Sequence, residues 1–482
     1  MKQFIHLLLS GIIMLAGCRQ PVSPDINEDR QPAIFPDYTD VTFPSNIAPP
    51  NFRIEETGDD YFVEMGSGDQ ILWSHRSSDP VVRIRESAWH QFSAKIAGSD
   101  CFIRITVKQN GKWKQFRDIT NTIAAQPIDP YLVYRLLYPG YELWNEMGIY
   151  QRDLTSFRET VIVENKSLKK GCVNCHTFCH NSPDTMLLHI RGEMGGTVIR
   201  RGGSTIKTDT KTADINNRGP YAAWHPSGRF IAYSANDIEQ FFHLTGKKPV
   251  EVSDLESDLI LYDIASGQMF TDTAISGKDY METFPNWSPD GKTLYFCRAG
   301  ALTKTTSLDS IRYDLYRLDF DPENMTFGKP ECICMVSGQG KTLALPRVSP
   351  DGKYLMFSLF DYGNFGIWHP ESDLCLLHLE TGKMRVLDEV NSNDVESFHT
   401  WSSSGYWFVF SSKRLDGLWA RPYFAHFDPE TGLASKPFLL PQEDPRFYDY
   451  FTKTFNLPEL IKAPVTDRQD FYRTGTPEGM EN

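Results

Sequence analysis

The residues best equipped to do chemistry are Cys172-Val173-Asn174-Cys175-His176, a C-x-x-C-H run. Two thiols at this spacing form thioether links to the vinyl groups of a haem, and the adjacent imidazole becomes the fifth ligand of the iron. With nine Cys and twelve His in 482 residues, a chance run is expected on the order of 0.004 times, so coincidence does not account for it. Cys179 and His180 extend the run to C-x-x-C-H-x-x-C-H, which leaves a zinc knuckle or a dithiol redox pair as the other chemistries.

What a haem c would do here is decided on its other face. A Met or His ligand there closes the iron for electron transfer, and an open position permits small-molecule binding or peroxidase-like chemistry. His180 lies four residues from the proximal His and reaches that face poorly, and His225 belongs to a repeated turn. The candidates for the sixth ligand are Met186, His189, Met194, Met281 and His399. His189 falls inside an expected strand, where ordinary packing is the alternative.

The compartment suits such chemistry. Lys2 precedes an apolar stretch over residues 4–15, and Leu15-Ala16-Gly17-Cys18 follows it. This resembles the lipobox of bacterial lipoproteins, which implies removal of residues 1–17, acylation of Cys18 and a lipid-anchored protein of the cell envelope facing the periplasm. The apolar stretch is shorter than the roughly 20 residues a membrane-spanning helix needs. Residues 18–50, rich in Pro, Asp and Asn, read as an extended tether. A formal net charge of −13 argues against nucleic acid, whose phosphates are bound by Lys and Arg. A lipid membrane and an envelope redox or scaffold protein are the expected partners.

The elements that position the motif come from an internal repeat. Trp224-His225-Pro226-Ser227-Gly228, Trp287-Ser288-Pro289-Asp290-Gly291, Val348-Ser349-Pro350-Asp351-Gly352 and Trp401-Ser402-Ser403-Ser404-Gly405 share one pattern. An apolar strand follows each, over 230–234, 294–297, 354–358 and 407–411, and further strands fall at 258–262, 314–318 and 373–377. Pro presets one backbone angle of the turn and Gly tolerates a positive one. Asn181-Ser182-Pro183-Asp184 before residues 186–191, and a hairpin over 148–163, supply two weaker units. A mainly β fold follows, a β-propeller with six blades as the best total and a terminal segment at 447–457 available to close the ring. The turn-and-strand pattern resembles the TolB-type (WD40-like) propeller repeat over about residues 219–440. Together with the lipobox and the C-x-x-C-H run it is similar to TolB-like lipoproteins labelled cytochrome c or cytochrome c biosynthesis proteins. That resemblance implies redox involvement, with a protein- or ligand-binding scaffold as the alternative, and it names no substrate.

Setting Pro183 against Pro289 places His176 opposite Glu282 and Phe178 opposite Phe284, with Glu396 and Phe398 in the same columns. The haem motif is then expected in the innermost strand of one blade, beside the central channel. Glu282 and Glu396 there either bind a cation or partner or satisfy backbone donors at the rim. Residues 51–128 read as a small β-rich or α+β domain, with a hairpin turning at Asn110-Gly111 and a short helix carrying Trp89, Phe92 and Ile96. The Tyr- and Leu-rich residues 130–147 read as one or two helices. The propeller is expected over 129–460 and a tail over 461–482. Gly338-Gln339-Gly340-Lys341-Thr342 lacks the first Gly of a phosphate-binding loop, and G-x-S-x-G and H-E-x-x-H are absent, so ordinary hydrolase signatures are missing.

Overall fold

The computed structural model describes residues 22–138, 146–209, 219–243, 248 and 250–475. The chain is nearly all β and forms a β-propeller preceded by a β-rich domain. Among the described residues six meander sheets surround one axis, each with its innermost strand at one end of its path. Sheet 2 runs Val173–Phe178, Thr185–Ile190, Gly196–Arg201, Ser204–Thr208. Sheet 3 runs Tyr221–Trp224, Phe230–Phe242, Val250–Asp263, Gln268–Phe270. Sheets 4, 5 and 6 start from Tyr280–Trp287, Thr342–Val348 and Glu396–Trp401. Sheet 1 comprises Glu159–Glu164, Met147–Asp153 and Tyr131–Leu137, and its innermost strand is Thr454–Ile461 from the far end of the chain. Each innermost strand touches the next, round to the first.

The repeated turns form as their residue types require. Gly228, Gly291, Gly352 and Gly405 all have φ between 66° and 75°, a region that side chains avoid. A second repeat was not legible. Cys175, Phe284, Leu345, Phe398 and Leu457 all adopt φ between 49° and 58°. Each sits in a bulge where the ladder skips two residues, as between Asn174 and Thr177 or Thr283 and Asn286. Such left-handed residues cost roughly 1–2 kcal/mol each, and the bulge turns the side chain toward the axis.

These bulges correct the expected register of the haem motif. Cys175, not Phe178, stands opposite Phe284 and Phe398, and His176 stands opposite Pro285 and His399 instead of Glu282 and Glu396. The shift of three residues arises because Cys179–Asn181 forms an extra one-turn 3-10 helix before Ser182. The motif nevertheless lies in an innermost strand.

Three other expectations are corrected. Residues 22–50 are no tether: Ile26–Asn27 pairs with Lys114 and Gln115, Thr42–Pro44 pairs with residues 122–124, and Tyr38, Val41, Phe43 and Ile47 are buried. Their apolar residues are too irregularly spaced to show a period, yet they plug the groove between the N-terminal sheet and sheet 6, where Phe43 meets Phe438 at 4.9 Å. Residues 131–137 are a strand, not helix, because a strand buried on both faces loses its alternation. The tail folds back as well, with Val465 and Gln151 exchanging hydrogen bonds of 2.7 and 3.1 Å and Phe471 fully buried.

The N-terminal domain otherwise matches its reading. Asn110 and Gly111 both have positive φ in the turn between Ser99–Gln109 and Lys112–Gln115, and helix Glu86–Lys95 buries Trp89 and Phe92. It docks on sheet 6 through specific bonds: Tyr38 Oη donates to the Leu439 carbonyl (3.1 Å), and Asp129 accepts from Ser403 N–H and Oγ (2.7 and 2.6 Å).

Candidate functional site

Cys175 stands on the first strand of sheet 2 and Cys172 immediately precedes it, and with the left-handed bulge at Cys175 both thiols border one cavity at one end of the axis. The cavity measures about 120 Å³. Its walls include Leu137, Met147, Trp368 and Phe398, and its charged groups are Arg135, Arg191 and Lys413. Both thiols are buried, and burial raises both pKa values, that of Cys175 to about 11. They are therefore protonated and inert as nucleophiles at neutral pH.

His176 lies one layer deeper. It borders a smaller axial cavity with Thr177, Leu345, Arg347 and Glu459, and the two cavities share Cys175, Tyr221, Phe398 and Leu457. It is 2% exposed, and neither ring nitrogen makes a hydrogen bond of normal geometry. Burial and the Arg135 guanidinium push its pKa down to about 3, against the pull of backbone groups at Leu457 and Val133. Arg135 is oriented by two inner-strand amides: its guanidinium donates to the Asn174 and Asn456 side-chain oxygens.

Cys179 and His180 point elsewhere. They border a cavity of about 470 Å³ at the opposite end of the axis, among Trp224, Trp287 and Trp401. There Cys179 Sγ lies 3.7 Å from the His225 carbonyl, and His180 Nε2 donates to the Pro226 carbonyl at 2.8 Å. The five Cys and His of the extended run are thus split between two ends. Among the described residues no group of three or more His, Cys, Asp or Glu is placed to hold a metal ion. Cys18 lies outside the described residues.

The expected sixth ligands do not border the thiol cavity. Met186 and Met194 are packed in the core between sheets 1 and 2. His189 Nδ1 shares a hydrogen bond with Thr197 Oγ1 at 3.1 Å. Met281 Sδ meets the Tyr313 hydroxyl at 3.9 Å, and His399 Nε2 donates to the Met356 carbonyl at 3.0 Å. Glu282 and Glu396 are buried in ion pairs with Arg298 and Arg414, and Glu396 also accepts the Ser392 backbone N–H. The cavity instead presents Met147 and Lys413, which sequence reasoning missed. Lys413 follows a strand by one residue, and nothing in its neighbours marks it as inward-facing.

No protein-family model and no curated protein matches this chain. Among solved structures it is similar to Kuenenia stuttgartiensis hydrazine synthase, at 13% identity over 56% of this chain and 65% of that one, with a TM-score of 0.31. It is also similar to an oligogalacturonate lyase from Vibrio parahaemolyticus (12%, 59% and 84%, TM-score 0.31). A Mycobacterium tuberculosis puromycin-hydrolysing peptidase gives 12%, 72% and 52%, with a TM-score of 0.35. At these values the likenesses carry no activity or ligand over to this chain.

Proposed function

We propose that this chain carries one covalent haem c at the end of the propeller axis where Cys172 and Cys175 open, and that it moves electrons as a lipid-anchored protein of the cell envelope. The observation that supports this most is His176: an imidazole adjacent in sequence to two thiols on one cavity, buried, neutral, and with neither nitrogen in a hydrogen bond of normal geometry, although the Leu457 and Val133 backbone lies close by. A buried polar group left wholly without a partner costs about 1–3 kcal/mol, and ligation of iron would relieve whatever part of that cost the poorly aligned backbone groups leave. The donor set therefore fits the group. The cavity is smaller than the roughly 300–1,000 Å³ of sites that enclose a drug-sized ligand, so the fit rests on donors and wall chemistry and not on enclosure. When bound, the haem supplies one-electron redox chemistry. The chain supplies two anchoring thiols, an axial imidazole and apolar walls.

Zinc is the weaker reading because the second Cys-His pair sits at the other end of the axis. The scaffold reading keeps one specific support, the larger cavity of about 470 Å³ at that end, lined by three Trp rings.

A pyridine haemochrome spectrum with intact mass, on mature protein from a host competent in cytochrome c maturation, tests the proposal. A c-type spectrum and the mass of one haem are expected, both lost in Cys172→Ala and Cys175→Ala. His176→Pro places there the residue that Pro285, Pro346 and Pro458 already provide in three other sheets, so it removes the ligand while the fold persists. Wild-type protein without covalent haem overturns the proposal.

A further inference from the structure

Among the described residues the thiol cavity is lined by three cations, Arg135, Arg191 and Lys413, and by no carboxylate, in a chain of net charge −13. Lys413 is 7% exposed, with Nζ 4.2 Å from the centroid of the Trp368 ring. Among the described residues neither its ammonium nor the Arg191 guanidinium has a hydrogen-bond or ion-pair partner. Burial lowers the Lys413 pKa to about 8, with Asp394 and Asp416 pulling the other way only from a distance. Arg135 is held by neutral amide oxygens, and its Nε is buried without a partner. Asp254, a buried carboxylate held by the Asn236 and Asn364 side chains, attracts Arg191 from beyond ion-pair distance; cations gathered in a low-dielectric cleft with so little counter-charge repel one another and raise the local potential for anions. Asn174, Gln240, Thr454 and Asn456 add neutral polar groups, and Leu137, Met147, Ile367 and Phe398 give the wall an apolar part.

We infer that Arg135, Arg191 and Lys413 form a carboxylate-binding site for an amphiphilic anion whose apolar body lies against Leu137, Met147 and Phe398. The inference deepens the haem reading and in part rests on it, since the propionates of a haem tethered to Cys172 and Cys175 are one source of such carboxylates. A free organic acid is the other source.

Benzoate, an apolar ring bearing one carboxylate, is the probe. Haem-free full-length protein is expected to bind it saturably by calorimetry. Lys413→Gln or Arg191→Gln weakens binding about tenfold or more, the worth of one charge-assisted hydrogen bond. Lys413→Arg retains it, and Lys462→Gln at the other end of the axis leaves it unchanged. In haem-loaded protein, exclusion of benzoate together with a lowered reduction potential in Lys413→Gln assigns the site to the propionates. Persisting benzoate binding assigns it to a free acid. Protein that takes no covalent haem yet binds benzoate with this charge dependence loses the haem reading and keeps the site. No saturable binding to the haem-free protein, or binding indifferent to both charge removals, overturns the inference.

Discussion

His399 and Glu282 show how burial sets opposite pH signs at single residues. Desolvation, aided by Arg347, pushes the His399 pKa down to about 3, so the ring is neutral in the folded protein. Unfolded, it takes a proton below about 6.5. The unfolded chain then binds more protons, and stability falls as pH drops from 6.5 toward 3, by up to about 1.4 kcal/mol per pH unit. Glu282 is held up to about 7 by burial despite Arg298. Its folded form binds more protons than the unfolded one above about 4.5, so its contribution falls as pH rises toward 7. We expect His399→Gln, which keeps a donor for the Met356 carbonyl, to flatten the decline of the urea midpoint between about pH 6 and pH 4. Equal slopes for variant and wild type would refute the assignment. At this scale the C-x-x-C-H run was legible because its chemistry is local. The cavity around it was not, since Arg135, Arg191 and Lys413 come from segments far apart in sequence.

At the scale of elements, the innermost strands are clipped to one another by a ring of hydrogen bonds. Trp224, Trp287 and Trp401 donate indole N–H groups to the Thr177, Ala223 and Arg347 carbonyls of the preceding sheets, at 3.3, 3.3 and 3.1 Å. Where sheet 5 has Val348 instead of Trp, its backbone N–H donates to the Asn286 side chain at 2.9 Å. Thr400 Oγ1 donates to the Pro458 carbonyl (2.7 Å), and the Phe178 N–H donates to Glu459 (3.2 Å). The Trp of the repeated turn is therefore a clip between sheets as well as a core residue. Trp287→Phe is expected to lower stability by about 1–3 kcal/mol, the cost of a buried carbonyl losing its donor, whereas Val348→Ile, with the clip on the backbone, should stay within about 1.5 kcal/mol. Chemical denaturation checks both, and a neutral Trp287→Phe would show the clip to be idle. The turns and second strands of four sheets were readable because Pro, Gly and alternation are strong local signals. Sheet 1 was half hidden: its strand over 131–137 is apolar on both faces, and its partner arrives more than 300 residues later.

For the whole molecule, that late partner is decisive. Strand Thr454–Ile461 pairs with Tyr131–Leu137 along its length and completes the ring. Deleting residues 454–482 leaves an unpaired edge strand and an open ring, and exposed edges of this kind template aggregation. The truncated protein is expected to lose its monomer peak in sedimentation and its cooperative thermal transition, and a cooperative monomer would contradict this account. Residues 22–50 belong to the same economy of scale. They cover apolar surface of sheet 6 that no neighbouring sheet reaches, which is why scattered residues such as Tyr38 and Phe43 are fully buried.

Closure by the strand that comes last also sets a timetable. Cys175 and His176 end up on an innermost strand with Cys172 just before it, and the thiols are buried and protonated once the ring is shut. Thioether formation needs those thiols reachable and His176 free to swing onto iron. On the haem reading, attachment therefore belongs to the interval after residue 176 has been delivered and before residues 454–461 dock. A chain that folds too fast would trap itself empty, and slow closure becomes a requirement of maturation.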